Sequence, residues 1–570
     1  MIFGLLIVIA ILALVIGGVR RLSTRSSNDA SRTQTLRRFF EYGLLFAMLC
    51  VSAAGLSGLV TRLFSLGQDV VSDPVALARD VSFAVVGVPV LAALTQWTRR
   101  QFDRELTEAH SFAFGLFLTV ASTTTLAMSM IALYDVLTWS TGIASDWRAP
   151  TARLIVWGVA WIEISMTRSI YAHPDQEQAV NLSGSLVGLG TSVAGFVAVI
   201  GGLIQLALGL GEDIIISPGI EPVLRGVITV AIGLPVWYFH WVRGARDSQR
   251  NTMWLSYVLL AGVGGSLVTA IVSASTALYQ TFVWFLGTPT STDAHVHFSS
   301  TPINGAYLVV GMVTWGYHQS VLREGRTETR TEVTRVFEYL MSGITLVASA
   351  TGIGILVVSL IESVTGTNLI SNGDATNTLL LSLTLLLVST PAWWMFWRRI
   401  QNMVGANPDA EVSAPTRRSY LYLLFGVGGV AAIVSLISGI FLLFSDVFQS
   451  QLGSETLRGM RFAIGVLLTT GTVAAYHFTV YRGERQFVRT PRTTHNIILV
   501  GPKDPELVHE IVEKTGDRVQ VLVAAQTDHQ AWSHAEVLAM LDVPRNEDLV
   551  IVFNGHGLEA IPVVHAFSQL

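Results

Sequence analysis

Histidine, tryptophan and arginine recur together near the ends of several long apolar segments. A haem site would need two axial ligands at matched depth, whereas each of these segments offers one histidine beside arginine. Two readings fit better: a belt of interfacial aromatic rings and snorkelling arginines, or a pocket for an anionic headgroup or ligand between repeated units. For the histidines we expect hydrogen bonding at headgroup level. The set comprises His240, His318, His477, Trp237, Trp241, Trp393, Trp397, Arg243 and Arg399.

One carboxylate, Glu163, lies inside an apolar segment five residues before Arg168. An ionised side chain in hydrocarbon is costly and marks a functional position by default. Glu163 could serve a proton-coupled path. It could equally pair with an arginine of a neighbouring helix, and the sequence leaves both roles open.

A metal site is the third chemistry to weigh. Asp293, His295 and His297 alternate, and in a β-strand they would share one face. Three ligands with an open position can hold a metal ion. The motif is short and has no second cluster, so we expect a polar loop, no catalytic residue and no resident cofactor. Cys50 is the single cysteine, which excludes an internal disulfide.

The elements that must carry these residues are membrane helices. Of 570 residues, 51% are hydrophobic and 13% charged, and the mean hydropathy is +0.53. Soluble domains usually carry about a quarter charged residues, so the lipid bilayer is the first partner of this chain. The net charge of −4 gives no basic field that would attract nucleic acid.

A bilayer core needs about 20 apolar residues per helix. The apolar segment 2–19 precedes Arg20 and Arg21 and predicts an uncleaved anchor over 1–20. Twelve further spans bring the total to about 13. They are predicted at 38–64, 80–98, 111–139, 153–171, 179–210, 221–243, 252–286, 303–322, 333–364, 376–398, 417–448 and 460–481.

Arginines concentrate in alternate loops between these spans. Cytoplasmic loops carry the excess of basic residues. The distribution predicts a multi-pass protein of the cell membrane, with its N-terminus outside and its C-terminal end in the cytoplasm.

Three signatures recur along the membrane region. Arg-x-aromatic-x-Tyr opens a long helix at 38–42, 335–339 and 418–422. Proline followed by tryptophan lies in a return helix at 89–97, 235–243 and 391–399, and Glu or His precedes Arg by five residues at 163, 318 and 477. They predict three parallel four-helix repeats: a first (36–172), a second (176–323) and a third (332–483). Transporters with inverted repeats have units of opposite orientation instead.

These motifs resemble an uncharacterised family of bacterial and archaeal four-helix membrane proteins, catalogued as a domain of unknown function. The resemblance covers 36–482 in three copies and implies no activity that could be carried over. The first repeat departs from the pattern, with Thr95 in place of a tryptophan and Glu163 in place of a histidine.

The last segment, 494–570, has a different character. Apolar strands at 496–500, 519–523 and 549–553 alternate with helices at 504–514, with Asp504 as N-cap, and 533–541. This βαβαβ pattern predicts a small α/β domain with a parallel sheet. Its strand ends match neither Gly-x-Gly-x-x-Gly nor a P-loop, so docking to a cytoplasmic protein partner or to the membrane region is favoured over nucleotide binding.

Two classes of function remain. The first is a membrane-embedded scaffold or sensor that presents the C-terminal domain. The second is a transporter or lipid-handling protein with a path between the repeats. Short loops and few ionisable residues inside the spans favour the first, and an enzyme is the least favoured class because no nucleophile–base pair is present.

Overall fold

The computed structural model describes most of the chain. The described residues are 29–66, 73–209, 219–324, 331–365, 372–484, 496–515, 517–523, 532–541, 548–554 and 557–563. The anchor predicted at 2–19 lies outside them.

Twelve long helices follow one another through the described membrane region. They are α1 (Asp29–Phe64), α2 (Pro74–Arg104), α3 (Phe112–Ser140), α4 (Arg148–Tyr171), α5 (Pro174–Leu208), α6 (Glu221–Ala245), α7 (Thr252–Leu286), α8 (Thr301–Arg323), α9 (Glu332–Thr365), α10 (Asn372–Ala406), α11 (Pro415–Phe448) and α12 (Ser454–Glu484). Short helices lie at Leu106–Ala109, Ala294–His297 and Pro408–Val412.

Local sequence explains several helix ends. Asp73 caps α2, where its carboxylate accepts a hydrogen bond from the Ala76 N–H at 3.0 Å. His173 and Gln176 form a reciprocal capping box at the start of α5. Gly209 ends α5 with a positive φ of 62°, a conformation that glycine adopts at little cost.

Among the described residues, ten helices are long and apolar enough to cross a membrane. The helices α4 and α8 coincide with two further predicted spans, 153–171 and 303–322. They have 24 and 23 residues but are more polar and fall outside the ten. The chain is thus a helical protein with the features of a multi-pass membrane protein.

Consecutive helices pack as hairpins in the first two repeats: α1 on α2, α3 on α4, α5 on α6 and α7 on α8. Glycines allow close approach between α5 and α6. A Cβ on Gly195 would lie 2.7 Å from the backbone nitrogen of Val230, and one on Gly233 would lie 2.7 Å from that of Ser192. Small residues serve this purpose where helices associate in lipid.

The chain divides into two compact parts. One comprises Met1–Ile400 with Val430–Gly471, and the other Gln401–Gly429 with Thr472–Leu570. In the first part, one buried cluster centres on Phe102, Phe114 and Phe117, and another on Trp241 and Trp254.

The second part contains a four-stranded sheet with the order β2-β1-β3-β4. The strands are β1 (Asn496–Gly501), β2 (Arg518–Val523), β3 (Asp548–Asn554) and β4 (Gly557–Val563), with α13 (Pro505–Thr515) and α14 (His534–Met540) between them. The strand β1 is parallel to β2 and β3, as predicted, whereas β4 pairs antiparallel with β3. β4 was not predicted; it contains Pro562, which an edge strand tolerates.

Polar contacts fix the two helices of this domain. Asp504 caps α13 as predicted, accepting hydrogen bonds from the N–H groups of Glu506 and Leu507, each at 3.1 Å. His534 of α14 bonds Asp504 at 2.9 Å and Glu510 at 3.1 Å. These contacts raise the pKa of His534 and lower that of Asp504, chiefly through the hydrogen bond between them.

Candidate functional site

His318 occupies the centre of a buried aromatic cluster in the second repeat. Its side chain, on α8, has no exposed surface. Its Nδ1 donates to the carbonyl oxygen of Thr314, one turn earlier, at 2.9 Å. Gly262 of α7 faces the ring so closely that a Cβ there would collide with the imidazole.

Three aromatic rings surround this histidine. The ring centroids of Trp241, Tyr257 and Tyr317 lie 5.9, 5.8 and 5.1 Å from that of His318. The indole of Trp241 donates to the Tyr317 hydroxyl at 3.0 Å, and the indole of Trp237 donates to the Tyr257 hydroxyl at 3.2 Å. Buried tryptophan and tyrosine usually find such partners, so the four rings form two hydrogen-bonded pairs that pack against each other.

Two π-helical segments position these rings. Trp241 lies in the segment Tyr238–Ala245 of α6, and Tyr257 begins the segment Tyr257–Gly265 of α7. Pro235 precedes the first segment and cannot donate the regular helical hydrogen bond there. π-Helical turns are rare and frequently occur at functional sites, and here both adjoin the same histidine.

The second ring nitrogen of His318 is buried and makes no hydrogen bond to any residue that the structure describes. Buried polar atoms are nearly always paired. The cluster therefore retains capacity for one more hydrogen bond. This buried position corrects the expectation that His318 bonds at headgroup level: aromatic rings from α6 and α7 close over it.

His240 and His477 lie in other surroundings. His240, on α6, donates from Nδ1 to Val236 at 3.0 Å and packs against Gly184 of α5. His477 belongs to the second compact part. It bonds the carbonyl of Val473 at 2.8 Å and contacts the ring of Tyr420, with centroids 5.9 Å apart. Each of the three histidines hydrogen-bonds a carbonyl of its own helix four residues earlier.

The remaining aromatic and basic candidates lie at the same motif in the second and third repeats. Trp393 and Trp397 stack with centroids 6.5 Å apart, and Trp397 is buried. Arg399 pairs with the buried carboxylate of Glu338 at 3.0 Å. Arg243, at the corresponding place in α6, is exposed.

Glu163 forms an ion pair with Arg99 of α2. Both side chains are about half exposed. Of the two roles that the sequence left open, the contact with an arginine of a neighbouring helix is therefore present. Arg99 occupies the position in α2 that Arg243 and Arg399 occupy in α6 and α10, two residues after a tryptophan.

The segment 293–297, expected as a polar loop with weak candidates for metal ligands, contains a short helix and not a strand. Asp293 caps the short helix Ala294–His297 by accepting from the His295 N–H at 2.8 Å, so the three side chains do not share a strand face. His297 donates to the carbonyl of Gln280 at 2.9 Å. No group of three or more potential ligands that could hold a metal ion occurs among the described residues.

The predictions from sequence did not include four residues that complete these contacts: Tyr257, Tyr317, Gly262 and Glu338. Tyr317 adjoins His318 in the repeated motif, and Gly262 begins a glycine-rich stretch, so both carried a signal. Glu338 lies inside the recurring motif at 335–339 and so carried a signal as well. Tyr257 carried none, because only the packing of α7 against α6 and α8 brings it to its partners.

Comparison with known proteins gives one match. A family model, Domain of unknown function (DUF5671), matches residues 38–162, 179–317 and 335–472. No curated protein and no solved structure matches the chain. The three matches confirm three tandem copies of an uncharacterised domain and cover most of the sequence. The chain belongs to the DUF5671 family.

Proposed function

We propose that this protein is a membrane-embedded scaffold or sensor that presents its C-terminal α/β domain to a protein partner in the cytoplasm. The sheet of that domain carries the proposal. The concentration of arginines in alternate loops supports the cytoplasmic placement.

The sheet has one covered face. Ile497 and Leu499 of β1 and Ile551 of β3 are buried against Leu507 of α13 and Val537 of α14. These contacts give the domain a hydrophobic core of its own.

The opposite face has an apolar centre, with Gln520 of β2 and Glu559 of β4 in register beside it. Val500 of β1 is in register with Leu522 of β2 and Val552 of β3, and Ile498 with Val550. Leu522 is 55% exposed. Parallel sheets usually have both faces covered, so this face has the composition of a surface that a partner protein buries.

Ion pairs between helices support the anchoring role of the membrane region. Asp135 of α3 pairs with Arg153 of α4 at 3.1 Å. Glu362 of α9 pairs with Arg461 of α12 at 2.8 Å. Coupled transporters place ionisable groups along a path; these carboxylates instead join one helix to another, as a rigid support requires.

The test uses a photo-crosslinking residue at position 522 of the full chain in native membranes, with Val512 on α13 as the matched control. Val512 is 44% exposed and has no place on the apolar sheet face. We expect position 522, and not 512, to cross-link one discrete protein. The substitution Leu522→Glu should lower recovery of that protein at least about tenfold, whereas Val512→Glu should not.

Two results would contradict the proposal. One is cross-linking from position 522 to lipid alone. The other is equal recovery of the same proteins from Leu522→Glu and Val512→Glu, which would show that the sheet face does not select a partner.

A further inference from the structure

A cavity of about 240 Å³ lies within the first repeat, between α1, α2, α3 and α4. Its walls are mostly apolar and include Leu45, Leu49, Leu91, Phe114, Phe117 and Ile164. An engineered apolar cavity of about 150 Å³ is enough to bind benzene. The cavity of the first repeat is large enough for a segment of one hydrocarbon chain.

The cavity opens on the side of the helical bundle. Val159 of α4 and Leu56 of α1 line it and are 62% and 37% exposed. α2 is the least buried of the apolar helices in the first repeat. Exposed apolar side chains on membrane helices face lipid, so the opening is accessible from the bilayer.

One end of the cavity is polar and carries both signs of charge. Arg99 and Glu163 line it and form their ion pair there. That pair joins one guanidinium nitrogen to one carboxylate oxygen. A guanidinium has five N–H donors and a carboxylate has two acceptor oxygens, so each group can bind a further partner without breaking the pair.

A buried hydroxyl next to this end lacks a partner. Thr98 lines the cavity and is 5% exposed, and its hydroxyl makes no hydrogen bond to any described residue. Ser52 also lines the cavity, and its buried hydroxyl likewise makes no hydrogen bond to any described residue. Ser52 packs beside Gly87 of α2. Gly87 precedes Thr98 by eleven residues, which is about 16 Å along the helix at 1.5 Å per residue. Thr98 adjoins the charged end, and Ser52 lies far from it.

We propose that this cavity binds one phospholipid that carries a phosphate and a primary ammonium group. A segment of one acyl chain occupies the cavity, the phosphate binds Arg99, the ammonium binds Glu163, and Thr98 donates to an ester carbonyl oxygen. A zwitterionic headgroup complements the ion pair, since each charge meets its opposite. A purely anionic headgroup would place its charge beside Glu163.

This site goes beyond the proposed scaffold and does not depend on it. The scaffold proposal is tested at the sheet of the C-terminal domain, and the lipid site at α1–α4, so either can fail alone. A bound phospholipid would give the membrane region something to sense, without requiring transport.

The experiment measures lipid retained by the purified full chain after exchange into nanodiscs that contain equal amounts of phosphatidylethanolamine, phosphatidylcholine and phosphatidylglycerol. Native mass spectrometry reads the retained species. We expect phosphatidylethanolamine to be retained at least about fivefold over either of the others. Arg99→Gln should reduce retention of all three lipids, whereas Glu163→Gln should remove the preference for the ethanolamine headgroup.

Matched variants test two parts of the proposal: the acyl chain in the cavity and the hydroxyl of Thr98. Ala160→Phe fills the cavity and should abolish retention, whereas Ala92→Phe, on the exposed face of α2, should leave it unchanged. Thr98→Val should lower retention roughly two- to tenfold, the range for one hydrogen bond. Ser52→Ala should not lower it, because no polar group of the lipid reaches Ser52. The two hydroxyl variants keep the test valid if Ala160→Phe does not fold.

Three outcomes would overturn the proposal. Preferential retention of phosphatidylglycerol would identify an anionic-lipid site. Complete displacement by millimolar inorganic phosphate would identify a site for a soluble anion. Equal retention by Ala160→Phe and Ala92→Phe would show that no chain enters the cavity.

Discussion

The first and second repeats use the same motif position in opposite ways. His318 of the second repeat is fully buried among aromatic rings, whereas Glu163, at the corresponding position of the first, is half exposed beside a cavity. Trp241 has no exposed surface, whereas Trp97 of the first repeat's motif is 40% exposed. One helical framework thus supports a closed, ring-filled core in one copy and an open, lipid-accessible cavity in the other.

The difference follows from a few side chains. The second repeat has Trp237, Tyr257 and Tyr317, whose rings fill the space and hydrogen-bond to one another. Two and six residues after the recurring proline, where the second repeat has tryptophan, the first has Leu91 and Thr95, which line the cavity. Leucine and threonine in place of two indoles leave space unfilled, which a hydrocarbon chain can use. Duplication of a fold therefore does not imply duplication of its site.

Exchanging the two motif residues should give the largest effect. His318→Glu places a carboxyl group among apolar rings, and a buried carboxyl either pays for desolvation or stays protonated. We expect a loss of about 3–5 kcal/mol in the free energy of unfolding, the range found when a buried charge is left without a partner.

The reverse exchange, Glu163→His, removes only a half-exposed ion pair, so we expect a loss below about 1 kcal/mol. Unfolding in mixed detergent micelles, followed by circular dichroism, measures both. Similar losses would mean that the two positions have similar environments, contrary to the comparison.

Adding one methyl group should give the next largest effect. Gly262→Ala forces a Cβ against the imidazole of His318, so we expect a loss of about 1–3 kcal/mol from overpacking. Gly158→Ala in α4 of the first repeat has no atom within 4 Å of its Cβ and gains helix propensity. We expect it to be neutral or stabilising. A neutral Gly262→Ala, measured by the same unfolding assay, would show that the second repeat is as loosely packed as the first.

Acid should distinguish the repeats by a smaller effect. Glu108 binds Arg38 at 2.7 Å and Arg37 at 3.0 Å, and the Arg38 hydrogen bond is the main cause of its lowered pKa. A lowered carboxyl pKa in the folded state stabilises it above the unfolded pKa, and this contribution is lost as pH falls through the folded value. As the pH falls below about 4.5, protection of the amides against hydrogen exchange, relative to the unfolded chain at the same pH, should therefore decrease around Leu106–Ala109. Protection at Trp241 and Tyr257 should decrease only at lower pH.

Glu108→Gln is the control for this measurement, because it cannot titrate. The variant should show lowered protection around Leu106–Ala109 at neutral pH and little further change of protection in acid. Simultaneous acid response at Glu108 and at the ring cluster would show that the two repeats open as one unit, not separately.

Much of the architecture could be predicted because its signals are local. Hydropathy located the helices α1–α12, recurring motifs gave three tandem copies, and apolar strands with Asp504 as N-cap gave the C-terminal sheet. The alternation of Asp293, His295 and His297 did not indicate a shared strand face, because Asp293 accepts a hydrogen bond from the His295 N–H and caps a short helix. The edge strand β4 was not predicted; it contains a glycine and a proline, residues that are depleted in strands.

The sequence by itself determined that the chain is helical, apolar and threefold repeated, because hydropathy and each recurring motif depend only on residues close together in the chain. Only the tertiary structure decided that Trp241 is buried while Trp97 is exposed, that Gly262 faces His318, and that Glu163 meets Arg99 beside a cavity. These outcomes depend on which side chains of different helices meet. A repeated motif does not determine which rings surround its tryptophan.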